Sequence, residues 1–323
     1  MQSFTCPASG NRVFFDNLSC GCGAQLYYDP EARTMLNEAA PCVNRDSIGC
    51  NWMAEPGQLW CRSCLMTDVV PDLSVGDNRQ LLARAERAKR WVLANLSNWG
   101  WFTQADPGPR PRFRMMSERI GDSEEPVMMG HANGIITINV TEADELIRLQ
   151  RQHQLREQYR SMVGHLRHEI AHFLFTRLSA QPEFLPAFRE IFGDERADYG
   201  AALQAHYANP KPPKGDYITD YATAHPHEDW AETTAHLLHM VDFTDSFVNA
   251  GLSMSGLPPD YAPYQDGNAE HLLTITTDVA IAINDINRAL DNSDLYPFVL
   301  TPRIREKLTF VHDWITDHAL PAQ

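Results

Sequence analysis

Cysteine is missing from the whole chain after Cys64, although seven cysteines precede that point in a protein of 323 residues. So uneven a distribution sets residues 1–77 apart as a cysteine module and leaves 78–323 as a second domain. An odd cysteine count does not suit a simple disulfide framework and favours metal-bound thiolates. Basic charge is also scarce: 27 Lys and Arg against 42 Asp and Glu leave a net charge of −15, which speaks against a general electrostatic grip on nucleic acid. No apolar run approaches the roughly 18 residues that a membrane-spanning helix requires, so no membrane contact is expected. The opening MQSFTCPASG lacks the basic and apolar regions of a secretory signal, and a soluble cytoplasmic protein is the expectation. With 43% hydrophobic and 10% aromatic residues, a disordered chain is excluded.

Against the acidic background, residues 78–119 form a basic island of nine basic and three acidic side chains. The stretch 78–98 places Leu82, Ala85 and Val92 at helical spacing, with Arg84, Arg87, Lys89 and Arg90 distributed around the wheel. A solvated basic face is the plain expectation for this helix. The alternative is a contact, shared with the cysteine module, for a protein or nucleic-acid partner. After the loop DPGPRPR, extended segments are expected at 113–116 and 134–140, the latter rich in β-branched residues. From Thr141, read as an N-cap, the pattern is helical almost to Leu178. Further helices are expected at 182–192, 195–208, 226–240, 269–290 and 302–318, with Pro182, Pro226 and Pro302 in their first turns.

The sharpest motif is His168-Glu169-Ile170-Ala171-His172, an HExxH pattern within a helical segment. Four residues of α-helix bring both imidazoles onto one face, where they can share a Zn²⁺ ion. Glu169, about 100° round the wheel, is placed to take a proton from water at the metal. A catalytic zinc needs a third protein ligand, and the best candidates lie in Tyr221-Ala-Thr-Ala-His225-Pro-His227-Glu228-Asp-Trp-Ala-Glu232. Glu228 and Glu232 stand one turn apart on one helical face, so spacing alone allows either as the ligand. If Glu228 ligates, Glu232 is left to orient a ligand imidazole. His165, His225, His227 and His236 are weaker candidates. In the first module Cys42, Cys50, Cys61 and Cys64 supply four thiolates within 23 residues, which suits a closed tetrahedral structural zinc site.

The order HExxH, Tyr, ExxxE resembles the gluzincin metallopeptidases, and the YxxxxxxExxxE spacing is similar to that of lethal-factor-type proteases. A closer resemblance covers nearly the whole chain: a bacterial family of zinc-binding metallopeptidases with an N-terminal zinc-ribbon domain. It is carried by CNW at 50–52, CRSCL at 61–65, GHANGIITINVTEADE at 130–145, GHLRHEIAHF at 164–173, FGDERADY at 192–199 and YATAHPHEDWAETTAHLLH at 221–239. The resemblance implies His168, His172 and Glu228 as zinc ligands, Glu169 as the acid/base and Tyr221 as a hydrogen-bond donor to the transition state. In zinc peptidases a strand above the metal helix pairs with extended substrate, and GIITINV at 134–140 is the expected one. Where the family carries CxxC twice, this chain has Cys6-Pro-Ala-Ser9 and Cys20-Gly-Cys22, one thiol short of a second zinc site, which leaves either zinc with a fourth ligand that the sequence does not identify or no metal there.

The expected protein is therefore α+β: a zinc-ribbon-like head, then a mostly helical zincin domain with a small sheet. It is expected to hydrolyse peptide bonds in a peptide or protein substrate with zinc-activated water. The alternatives are a non-catalytic zinc-ribbon scaffold and a zinc hydrolase of non-peptide amides.

Overall fold

A computed structural model describes residues 3–121, 123–155, 161–209, 215–295 and 299–317. They form two compact units, Ser3–Phe173 and the residues from Leu174 onward.

The first unit opens with two antiparallel hairpins, β1 (Ser3–Thr5) with β2 (Arg12–Phe14) and β3 (Tyr27–Asp29) with β4 (Thr34–Leu36). Two single-turn helices follow, α1 (Arg45–Ile48) and α2 (Arg62–Leu65). Strands of three residues bury too little to hold a fold by themselves. Their support comes from an aromatic cluster in which Phe15 meets both Tyr28 and Trp91 edge-on and Tyr28 meets Trp52. Trp91 belongs to α3 (Asn78–Ser97), which follows β5 (Thr67–Val69).

Helix α3 buries Leu81, Leu82, Ala85, Val92, Leu93 and Leu96 as its periodicity requires. Its basic residues do not all stay in solvent, which corrects the expectation of a solvated basic face. Lys89 is fully buried, paired with Glu86 at 2.9 Å and bonded to Thr67. Arg90 is also buried, so the outward basic residues are Arg79, Arg84 and Arg87.

The sheet of this unit has the order β5-β6-β10-β9. Its members are β6 (Arg112–Met116), β9 (Gly130–Ala132) and β10 (Ile135–Asn139), besides β5; β7 (Arg119–Ile120) and β8 (Ser123–Glu124) pair separately. Parallel pairing joins β10 to β6 and β6 to β5, whereas β9 runs antiparallel to β10. Asn133 and Gly134, with φ of 52° and 77°, make the two-residue turn between β9 and β10. Positive φ at both positions is the type I′ requirement, and Asn-Gly meets it with least strain.

Chain continuity carries the sheet into a one-turn 3-10 helix, Val140–Ala143, then α4 (Glu145–Leu155) and α5 (Met162–Leu178). The cap differs from the sequence expectation: Asn139 accepts from Thr141 N–H, and Asp144 accepts from Leu146 and Ile147 N–H to start α4. Thr141 instead uses its hydroxyl to accept from Glu118 N–H.

The second unit holds α6 (Phe184–Phe192), α7 (Tyr199–Ala208), α8 (Pro226–Asn249), α9 (Ala269–Ala289) and α10 (Pro302–Asp317). Pro226 and Pro302 start their helices, but Pro182 lies ahead of α6. The core is aromatic: Phe184 packs edge-on against Phe175, Trp230 and Trp314, and Phe188 stacks on Phe192. A buried ion pair, Lys307 to Asp229 at 2.6 Å, fixes α10 against α8. The class is α+β, and among the described residues no helix is long and apolar enough to cross a membrane.

Candidate metal centres

In the head, the Sγ atoms of Cys42, Cys50, Cys61 and Cys64 all lie within 4.8 Å of one another, and all four residues are buried. Cys50 Sγ is 3.6 Å from Cys61 Sγ and 3.9 Å from Cys64 Sγ. Tetrahedral zinc with Zn–S bonds of about 2.3 Å has ligand edges of about 3.8 Å, so the four sulfurs fit a single ion. Backbone N–H groups of Cys61 and Cys64 point at Cys42 and Cys61 sulfurs, both at 3.4 Å, a pattern that supports thiolates.

A buried cation completes the fit. Arg90 donates to Gly49 O, while its Nε and Nη1 find no hydrogen-bond partner among the described residues. Burial disfavours its charge, but the negative charge of Cys50, then Glu86, Cys61 and Cys64, keeps the guanidinium protonated. Four thiolates around Zn²⁺ carry a net charge of −2, and a solvent-excluded guanidinium beside them offsets part of it. Replacing Cys61 or Cys64 with Ser is expected to remove about one zinc per chain and to lower the melting temperature of the head, since structural zinc supplies much of such a module's folding energy. Metal content by mass spectrometry and a thermal melt check it; full zinc retention would refute the quartet.

On α5 the rings of His168 and His172 meet edge-on with centroids 4.8 Å apart, and their Nε2 atoms are 3.2 Å apart. Two imidazoles on one tetrahedral zinc bring their nitrogens to about 3.3 Å, so this pair is set for a shared ion. Glu169, between them in sequence, is buried at 8% exposed. His165, one turn earlier, is 2.9 Å from buried Glu142, which Arg151 also bonds at 2.9 Å. That pairing gives His165 an anchoring contact with the segment that follows β10.

The substrate-pairing strand expected at 134–140 is not at the border of the sheet. Strand β10 is bonded along its length on one side by β6, and on the other β9 covers Ile135–Thr137, so the edge strand on that side of the sheet is β9. His131 of β9 packs edge-on against Phe173 of α5 at 5.9 Å. Burial, and then the neighbouring His172, hold the His131 imidazole down to about 4, so it is neutral at pH 7.

The second unit places the remaining candidates. Glu228, 1% exposed in the first turn of α8, accepts a 2.6 Å hydrogen bond from the Tyr199 hydroxyl. Tyr199 was invisible to spacing, because 29 residues separate it from Glu228. Its only sequence sign is the block FGDERADY, where Asp198 caps α7 by accepting from Ala201 N–H. Burial raises the Tyr221 phenol far above its usual range, and Glu228, Tyr199 and Tyr207 raise it further, so Tyr221 stays a protonated donor. Glu232 accepts from the Thr219 hydroxyl at 2.8 Å, and Thr219 in turn accepts from Ala222 N–H, which fixes the turn holding Tyr221.

His225 and His236 have structural partners. His225 caps α8: its Nδ1 accepts from His227 N–H, which leaves Nε2–H to donate to Ala197 O. His236 Nδ1 donates to Glu232 O at 2.8 Å, and the His227 ring stacks on His225 and meets Phe175 edge-on.

A helix with two facing imidazoles and a buried glutamate, together with a buried four-thiolate cluster in the head, fits a zinc-binding protein. Residues 78–314 match the family described as "putative zinc-binding metallo-peptidase", and the chain belongs to that family. It is 34% identical to the uncharacterized proteins Rv2568c of Mycobacterium tuberculosis and Mb2598c of Mycobacterium bovis, each alignment covering 99% of this chain and 97% of the relative. No solved structure matches.

Proposed function

We propose that the protein is a zinc-dependent peptidase whose metal is held by His168, His172 and Glu228. The observation that carries this reading is the His168–His172 pair, with two ring nitrogens 3.2 Å apart on a helix that also carries buried Glu169. Zinc held there supplies a polarised carbonyl and a water of lowered pKa. Glu169 takes the water's proton and passes it to the leaving amine, while the Tyr221 hydroxyl donates to the developing oxyanion. Tyr199 holds Glu228, and Glu232 serves as the acceptor that orients a ligand imidazole. The open edge of β9 aligns an extended peptide by backbone hydrogen bonds.

A structural zinc at Cys42, Cys50, Cys61 and Cys64 makes the head rigid, and seven thiols with no disulfide suit a reducing cytoplasm. The outward arginines Arg79, Arg84 and Arg87 offer an acidic protein partner a contact beside the head.

Incubation with an unbiased peptide library tests the reading. Cleavage that ceases with a chelator and returns with Zn²⁺ is expected. A fully zinc-loaded protein that cuts no peptide would instead favour the scaffold or non-peptide amide alternatives.

A further inference from the structure

Three cysteines of the head remain outside the quartet. Cys6 closes β1, and its carbonyl accepts from the N–H groups of Ser9 and Gly10 at 3.3 and 2.9 Å, while its own N–H bonds Asn11 O. Cys20 and Cys22 sit on a second turn of the same kind, in which Gly23 N–H bonds Cys20 O and Cys20 N–H bonds Ala24 O, both at 2.9 Å. The three sulfurs fall within 4.8 Å of one another, with Cys6 and Cys22 at 3.9 Å. At the position where a second thiol would make Cys6 a CxxC pair stands Ser9, its Oγ 3.5 Å from Cys20 Sγ. Asn11 Nδ2 donates to the same sulfur at 3.9 Å.

These distances are those of a mixed coordination sphere. Around one zinc, two thiolates are separated by about 3.8 Å, whereas a thiolate and an oxygen ligand are separated by about 3.5 Å, because a Zn–O bond is shorter than Zn–S. The observed 3.9 Å sulfur pair and 3.5 Å sulfur–oxygen pair match both edges. Exposure is also lopsided: Cys6 and Cys20 are buried, but Cys22 and Ser9 face solvent.

We propose that Cys6, Cys20 and Cys22 bind a second Zn²⁺ in the head, with the Ser9 hydroxyl or a water in its place as an exchangeable fourth ligand. The site differs in kind from the quartet, whose four sulfurs are all buried. A neutral hydroxyl is a poorer partner for zinc than a thiolate, and the solvent-facing corner gives competing ligands a route of attack. The metal there is therefore labile, and thiophilic divalent cations such as Cd²⁺ exchange into it first. This inference does not depend on peptidase activity.

The test uses the full chain, with metal content by mass spectrometry and the time course of zinc transfer to a chromophoric chelator. The wild-type protein is expected to release one equivalent in a fast phase ahead of the quartet's metal. Cys22→Ser should lose that equivalent and the fast phase with it. Ser9→Cys, which supplies a fourth thiolate, should keep the equivalent but move its release into the slow phase. Full zinc content in a folded Cys22→Ser protein would overturn the site. An unchanged fast phase in Ser9→Cys would overturn the assignment of Ser9 as the open corner.

Discussion

Glu169→Gln is expected to leave zinc content and melting temperature near wild-type values while lowering peptide hydrolysis by about 10²- to 10⁴-fold, the usual contribution of a general base. The amide keeps the size and hydrogen-bonding reach of the carboxylate but cannot accept a proton at neutral pH. Because the residue is 8% exposed on α5 between two proposed ligands, an isosteric change disturbs neither packing nor the His168–His172 spacing. Single-turnover cleavage of a library-derived peptide, with metal content measured on the same sample, separates chemistry from metal loss. A variant as active as wild type would remove Glu169 from the mechanism and with it the proposed reaction.

A second large effect separates the two carboxylates of α8. Glu228→Ala should empty the histidine-bound zinc site nearly completely, whereas Glu232→Ala should weaken zinc affinity by about 10- to 100-fold, the usual cost of losing an outer partner. Their surroundings motivate the assignment. Glu228 is almost wholly buried with a phenol at 2.6 Å, an environment that holds a carboxylate in one orientation. Glu232 accepts from Thr219, a contact that serves the backbone around Tyr221. The head's cysteine-bound zinc acts as an internal control for folding in both variants. If Glu232→Ala empties the site and Glu228→Ala does not, the ligand lies one turn further along and Tyr221 loses its role.

Much of this arrangement is legible in the sequence because it depends on local periodicity. HExxH fixes which two imidazoles meet, since a helix leaves no freedom in that spacing. The boundaries of α3 and the start of α8 at Pro226 follow from pattern and proline alone. Contacts made across distance in the chain are not legible in this way. Nothing near Arg90 announces its electrostatic link to Cys50, Cys61 and Cys64, 26 to 40 residues earlier, because its helix position is compatible with either solvent or core. The edge strand β9 is hidden in the sequence for a different reason. Its three residues are too short to show alternation, although Asn133-Gly134 was a turn signal in plain view. Once that hairpin is recognised, β10 must lie inside the sheet.

The placement of β5 bears on how this protein can be inherited. Thr67–Val69 lies before residue 78, where the family match begins, yet it pairs in parallel with β6. A gene fragment starting at residue 78 would encode β6 with β10 on one side but without β5 on the other, leaving open backbone groups along a strand that carries Phe113 and Met115. Such a bare apolar border is a template for self-association. A head exchanged for another would have to supply a matching β5 to keep that border covered.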